Sequence, residues 1–481
     1  MKRRSFIGNS IVGGSFIGGL SSVSCSSGTQ RRPESSNGYR NEVLINPRGK
    51  YDILLKGGTV IDPANNINSI MDVAVADGKI AMIARDIPAS DGKRTVDVAG
   101  LYVTPGIIDI HAHLLPISLV PDHHCFAAGT TTICDAGTVG ADTFDVLKTV
   151  IDRSRVRVFS FLNISRKGMG DANNNDPRLF DIDLAVRTAK QYPEDIVGFK
   201  SVRYAYWHRK DAGLPLYDDI HTPWASVDAI EEAGQRAGLP CQHHYDPEPE
   251  HDGVPARTQR EFLLEKAHSG TIYTHCFRRK HPIVMNDGSF NEDCFKAQER
   301  GVKFDIGHGA NSFCWRNVIA AVKSGFLPDS ISTDLHSGCV NDMAINMLNV
   351  MSKLLAAGMS LEDVIRCSTL NPARQIQRPE LGNLSVGSVA DIAVLDLEKG
   401  HFSYIDISME YTDEGSGARV DTDKRLSHII TLFGGRIASD RYGLCYQYWE
   451  NHPDTDDYWK THATELELAP KSAYTKYFDK T

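Results

Sequence analysis

From Tyr51 to about Leu101 the apolar residues come in short bursts. Tyr51–Lys56, Thr59–Ile61, Ile70–Ala76 and Lys79–Ala84 each suit a strand, while Gly57-Gly58 and the Pro-, Gly- and Asp-bearing stretch 86–93 interrupt them. No helix of any length fits there, so a small antiparallel sheet is expected. From about Tyr102 to Asn371 the pattern changes. Near-continuous apolar runs now alternate with helical segments, which implies parallel strands and crossover helices. Eight candidate strands stand out: Val103–Ile110, Thr130–Asp135, Val156–Ile164, Ile196–Val202, Leu239–His244, Gly270–Cys276, Val302–Gly307 and Ser330–Leu335. Helices are expected at 141–154, 181–191, 223–237, 257–268, 291–300 and 314–324. Residues 114–129 contain Pro116 and Pro121 and make a poor helix. After Asn371 the short strands return, at Ile392–Leu395, Ile429–Leu432 and Gly434–Ile437. The expected fold class is therefore α/β. A (β/α)8 TIM barrel at 102–375 carries a small β-sandwich built from both chain ends, 51–101 and 376–440. The extension 441–481 is aromatic and charged and receives no assignment.

Composition narrows the class. Of 481 residues, 41% are hydrophobic and 23% charged, which excludes disorder or a fibrous repeat as the main architecture. The net charge is −9 and no basic block occurs, so no nucleic-acid partner is expected. The ten cysteines are scattered without a CxxC pair, which argues against a zinc ribbon or a dense disulfide scaffold. Residues 1–24 read as an export signal: Lys2, Arg3 and Arg4 precede a Gly-rich apolar run too short to span a membrane. Arg3-Arg4-Ser5-Phe6-Ile7 resembles a twin-arginine motif, and Ser22-Val23-Ser24-Cys25 is a degenerate lipoprotein box. A periplasmic location follows as an expectation, with a lipid anchor through Cys25 left open and residues 25–50 as a tether.

In a (β/α)8 barrel the chemistry collects where the strands end. Here the runs end in His111-Ala112-His113, Asp135, Ser165, Lys200, His243-His244, His275, His308 and Asp334, with His336 close behind. His111 and His113 are two apart in a strand and share a face, so both can grip one metal ion. Taken together, two histidines, a lysine, two more histidines and an aspartate would converge on one pocket. Such N/O donors suit zinc, with manganese, iron or cobalt also compatible. Lys200, buried near cations, would have its pKa lowered, and its free amine could form a carbamate with carbon dioxide. Of His243 and His244, strand alternation sends the two to opposite faces, and the spacing after Leu239-Pro240 favours His244.

These residues resemble the amidohydrolase superfamily of binuclear metal hydrolases. The entry segments are Asp52–Val60 (DILLKGGTV), Asp77–Ile80 and Val103–His113 (VTPGIIDIHAH). The exit segments are Thr369–Ala373 (TLNPA) and Gly387–Asp391 (GSVAD). Gly129–Gly137, Leu162–Ser165, Val197–Lys200, Tyr273–Phe277, Phe304–Gly309 and Ser330–His336 are similar to its dihydroorotase-like amidohydrolase/deacetylase group. The resemblance spans about residues 51–440. It implies that His111, His113 and Asp334 hold one metal and His244 and His275 a second. A carboxylated Lys200 and a hydroxide would bridge the two ions, with Asp334 as general base and acid. Arg203 and His308 are candidate substrate contacts, and the polar stretch Arg166–Phe180 suits a lid. The implied reaction is hydrolysis of an amide or ester of a small acyl acid, by a homo-oligomer. The dihydroorotase pattern HxHxR is absent, since Leu114 and Leu115 follow His113.

Overall fold

The period-two runs at the start of the body form strands as expected, but they do not all pair antiparallel. In the computed structural model the described residues are 43–115, 118–171, 174–201, 203–204, 222–250, 256–285, 287–407 and 417–448. The segments read as export signal and as tether up to residue 42, Cys25 among them, and most of the C-terminal extension lie outside the described residues. Strands β1 (Leu44–Ile45), β2 (Ile53–Asp62), β3 (Ile67–Ala76), β4 (Lys79–Ala84), β5 (Arg94–Asp97) and β6 (Tyr102–Pro105) come first. β2, β3 and β4 form an antiparallel meander, whereas β5 and β6 run parallel to β2. The sheet is mixed because the chain crosses over through the loop around Ala89–Asp91 instead of turning back directly. Gly57 occupies the left-handed region at a bulge in the β2–β3 pairing, a conformation that favours glycine.

The expected run Val103–Ile110 divides at Gly106. β6 joins the mixed sheet, and β7 (Ile107–Ala112) opens a second, wholly parallel one. A Cβ at Gly106 would lie 2.2 Å from Thr131 Oγ1, so only glycine lets the chain pass there. β8 (Thr130–Gly140), β9 (Arg157–Asn163), β10 (Ile196–Lys200), β11 (Cys241–His243), β12 (Ile272–Tyr273) and β13 (Lys303–Phe304) follow in sequential order. Every residue of β7, β8 and β10 is buried, as a sheet covered on both faces requires. Ser330–Leu335 does not form a regular strand. It makes isolated parallel bridges to both edges of the sheet, Asp305↔Ser330 and Ala112↔Leu335. Its hydroxyls explain the irregularity: Ser330 and Ser332 donate to Asp305, and Thr333 donates to Asp109. β14 (Ile392–Ile405), β15 (Arg419–Phe433) and β16 (Arg436–Asp440) then complete the first sheet, with β14 pairing antiparallel on β6.

Five helices fall where the pattern places them: Phe144–Arg153, Ile182–Gln191, Ala225–Ala237, Asp293–Glu299 and Trp315–Lys323. The expected helix 257–268 is a capped turn, Gln259–Glu261, continuing as a π-helix over Phe262–Lys266. Among the described residues of 114–129 the helical structure is confined to two short 3-10 turns, Pro121–His123 and Phe126–Ala128. Among the described residues no helix is long and apolar enough to cross a membrane. The nine described cysteines are buried thiols.

Candidate active site

The C-terminal ends of the parallel strands bring six of the expected side chains around one cavity of about 540 Å³. They are His111, His113, Lys200, His244, His275 and Asp334, and Arg203 lines the same space. Strand alternation explains the choice at β11. Gln242 faces the interior and accepts a hydrogen bond from Lys200 Nζ (3.1 Å), whereas His243 points outward onto Glu231 (2.7 Å). His244, just past the strand, turns back into the cavity and stacks edge-on to His275 at 4.4 Å between ring centres.

The protons of three imidazoles are pinned on their outer nitrogens. Thr274 Oγ1 donates to Asp305 (2.7 Å), so its oxygen accepts from His111 Nδ1 (2.8 Å). Thr138 bonds Asp135 and lies 3.1 Å from His113 Nδ1 in the same manner. His275 Nδ1 donates to the Gly307 carbonyl (2.6 Å). In each neutral ring the other nitrogen, Nε2, is then an unprotonated donor atom. For His111 and His113 these atoms lie 3.4 and 3.1 Å from Asp334 Oδ1. Their ligand atoms and that of Asp334 all fall within 4.8 Å of one another. Nitrogen lone pairs aimed at a carboxylate repel unless a cation or a proton lies between them, so the donor set fits a metal ion.

Electrostatics agree. Burial holds His111 and His244 well below the usual histidine range, and His275 is lowered to about 3. Lys200 is lowered by burial to about 8, which leaves part of its amine neutral near physiological pH. Burial would raise Asp334, but the close imidazoles, His113 first and then His275 and His336, hold it at about 2. Neutral His111, His244 and His275 beside an ionised Asp334 are in the protonation states a divalent ion needs.

Two of the six described non-glycine residues with positive φ lie at this site. His275 (φ 59°) and Asp334 (φ 47°) both adopt the left-handed region, unusual for residues with a Cβ. Two glycines press on them: a Cβ at Gly307 would lie 2.8 Å from His275 Nδ1, and one at Gly309 only 2.3 Å from Asp334 Oδ2.

His308 is a correction. Its ring is fully buried outside the cavity lining, with Nδ1 donating to the Gly309 carbonyl (2.8 Å) and Nε2 accepting from Lys353 Nζ (2.8 Å). The positive φ of Gly307 and Gly309 turns the ring behind the site, where it braces Gly309. Several groups escape the strand-end reading. Asn163, Asn174 and Asn175 line the cavity, and Met169 and Asp171 place the Arg166–Phe180 loop at its mouth. Asp246, two residues beyond His244, accepts from Arg203 Nε (3.1 Å). That i, i+2 spacing was the available signal, but it lies on a segment past the strand. The Thr274–Asp305 and Thr138–Asp135 relays carry no sequence signature beyond an Asp near a strand end.

Residues 285–435 match the amidohydrolase family. A deacetylase of Agrobacterium fabrum is 32% identical over 382 residues, covering 76% of this chain and 86% of that protein. A deacetylase of Enterococcus faecalis is 28% identical, covering 80% and 99%. Among solved structures, a dihydroorotase superposes with a TM-score of 0.66 at 28% identity, over 81% of this chain and 100% of that one. An adenine deaminase superposes at 0.69 with 24% identity over the same shares, a likeness of fold.

Proposed function

The chain belongs to the amidohydrolase family, in its dihydroorotase-like group, and from that premise we propose that this hydrolytic enzyme is a metal-dependent deacylase. Its substrates would be small N- or O-acyl acids. The parallel sheet, bridged at both edges by Ser330–Leu335, is read here as a (β/α)8 barrel beside a β-sandwich. The observation that carries the reading is the set of pinned imidazoles facing Asp334. The deacetylase relatives, alignable over most of the chain, favour acyl transfer to water.

His111, His113 and Asp334 would hold one ion and His244 and His275 the other, and Lys200, as its carbamate, would add an oxygen donor to the set. Two such ions, zinc for this donor set, would supply hydroxide at neutral pH and polarise the scissile carbonyl. Asp334, held ionised and beside the ligand nitrogens, takes the proton of the attacking water and passes it to the leaving amine or alkoxide. Gln242 fixes the Lys200 side chain, and Gly137 leaves room for its stem, since a Cβ there would lie 2.7 Å from Lys200 Cβ. The cavity is of the size that takes a small molecule.

A panel of N-acetyl amino acids and O-acetyl hydroxy acids tests this, scored as acetate release. Asp334→Asn should retain metal and lose about a thousandfold or more in kcat. Full activity in that variant would remove Asp334 from the mechanism. The likeness to a dihydroorotase favours a second reading, a cyclic-amide hydrolase. Turnover of dihydroorotate in preference to the acetyl panel would select it. We also read residues 1–24 as an export signal to the periplasm, supported by Arg3-Arg4 and the apolar run after them. Fractionation of the native host, with Arg3→Lys and Arg4→Lys together, tests that assignment.

A further inference from the structure

Behind the strand ends lies a lysine that is no part of the ligand set. Lys353, on the helix Met347–Ala356, is fully buried. An ammonium is costly to bury unless each of its protons finds an acceptor. Here three acceptors meet three donors: His308 Nε2 (2.8 Å), the Met343 carbonyl (2.9 Å) and the Ile405 carbonyl (2.7 Å). Asp406 and Asp342 answer the charge at longer range. The ammonium also lies 5.6 Å from the centre of the Phe313 ring, on which His308 stacks at 4.7 Å. An apolar side chain would fill the same space without desolvating a charge, so packing alone does not account for a lysine there.

The bonds it makes lead to Asp334. A donor on Nε2 leaves the His308 proton on Nδ1, where it goes to the Gly309 carbonyl (2.8 Å). The backbone amides of His308 and Gly309 donate to Ser332 O (3.2 Å) and Thr333 O (2.8 Å), the two residues ahead of Asp334. Gly309 packs so closely on the carboxylate that a Cβ would lie 2.3 Å from Asp334 Oδ2. Asp334, at φ 47°, keeps this backbone only while its surroundings hold it.

We infer that Lys353 is a positioning residue for Asp334, acting through the His308 ring and the Gly309 carbonyl. The inference rests on the reading of Asp334 as metal ligand and proton acceptor, and it adds to that reading a part of the site's frame that lies outside the cavity. The other two bonds of Lys353 tie this frame to the segment after Asp334, at Met343, and to the end of β14, at Ile405. A residue of the mixed sheet thereby helps to hold the carboxylate in the parallel one.

Lys353→Met, His308→Phe and the double variant test it. Four readouts are taken: the urea midpoint, zinc affinity, the visible absorption of the cobalt-loaded protein, and the kcat and KM of acetate release. Each single variant should lower kcat about tenfold or more, leave KM within about twofold and weaken zinc binding about tenfold. Each should also change the cobalt spectrum, because the carboxylate has moved against the metal. The double variant should be no worse than the more damaged single one, since both changes cut one path. Lys353→Met leaves two buried carbonyls without their donor and is the variant more prone to misfold. His308→Phe keeps the ring on Phe313, leaves Lys353 on its two carbonyls and decides the question in that case. Folded variants with lowered urea midpoints but wild-type kcat and cobalt spectrum would assign Lys353 to packing and overturn the inference. So would losses that multiply in the double variant. Zinc affinity and the cobalt spectrum need no substrate. If the wild type cleaves no acetylated acid, the deacylase reading falls and those two readouts decide this inference by themselves.

Discussion

A single methyl group is enough to disturb this site. At Gly309 a Cβ would meet Asp334 Oδ2 at 2.3 Å, on a backbone already in the left-handed region. Gly309→Ala should therefore move Asp334, costing about 1–2 kcal/mol in backbone strain alone and at least tenfold in kcat. Stability by urea unfolding and kcat on the best acetyl substrate measure the two effects. Lys353 offers a pH signature. Burial lowers its ammonium to about 7 in the fold, against 10.5 for a free lysine, while it donates to His308, Met343 O and Ile405 O. Between those values the unfolded chain holds a proton that the folded one lacks, so this group makes stability rise with pH across that window. Lys353→Met should flatten the rise between about pH 7 and about pH 9.5, read from urea midpoints of variant and wild type. At this scale the sequence was informative where alternation decided the matter: His244 rather than His243 enters the cavity. It was misleading at His308, because two glycines at positive φ turn the ring behind the strand end, and no periodicity encodes that turn.

Among the elements, the parallel strands were legible because burial on both faces leaves an unbroken apolar run. Ser330–Leu335 read as another such run, yet side-chain bonds to Asp305 and Asp109 replace regular pairing there. The helices Met347–Ala356, Leu361–Ser368 and Leu370–Gln375 went unread. The first of them is buried on nearly every side, so it lacks the polar face that marks an amphipathic helix. One ion pair links elements that sequence alone could not join: Arg157 on β9 reaches Asp391, whose other oxygen accepts from Gly434 N (2.8 Å). Asp391→Ala should cost about 2–3 kcal/mol in urea unfolding with little change in KM. A loss below about 0.5 kcal/mol would mean that the two sheets are joined by apolar packing alone.

At the scale of the whole molecule, early and late strands of the described chain meet in one sheet, because β14 pairs with β6 immediately before β7, which carries His111. That closure, suggested by matching textures before and after the parallel sheet, places β14 next to β6, directly ahead of β7. Metal binding should stabilise the entire unit, since the ligands come from segments as far apart as His111 and Asp334. Chelation should lower Tm by several degrees, and Lys200→Ala should bind less metal and regain activity with short carboxylic acids. The most direct measurement is a titration of the metal-stripped protein with zinc, followed as acetate release from its best acetylated acid. Activity should be absent without metal and should saturate near two equivalents. Acetate release at full rate from the metal-stripped protein, or no release at any zinc level from any member of the panel, would contradict the assignment of a binuclear deacylase.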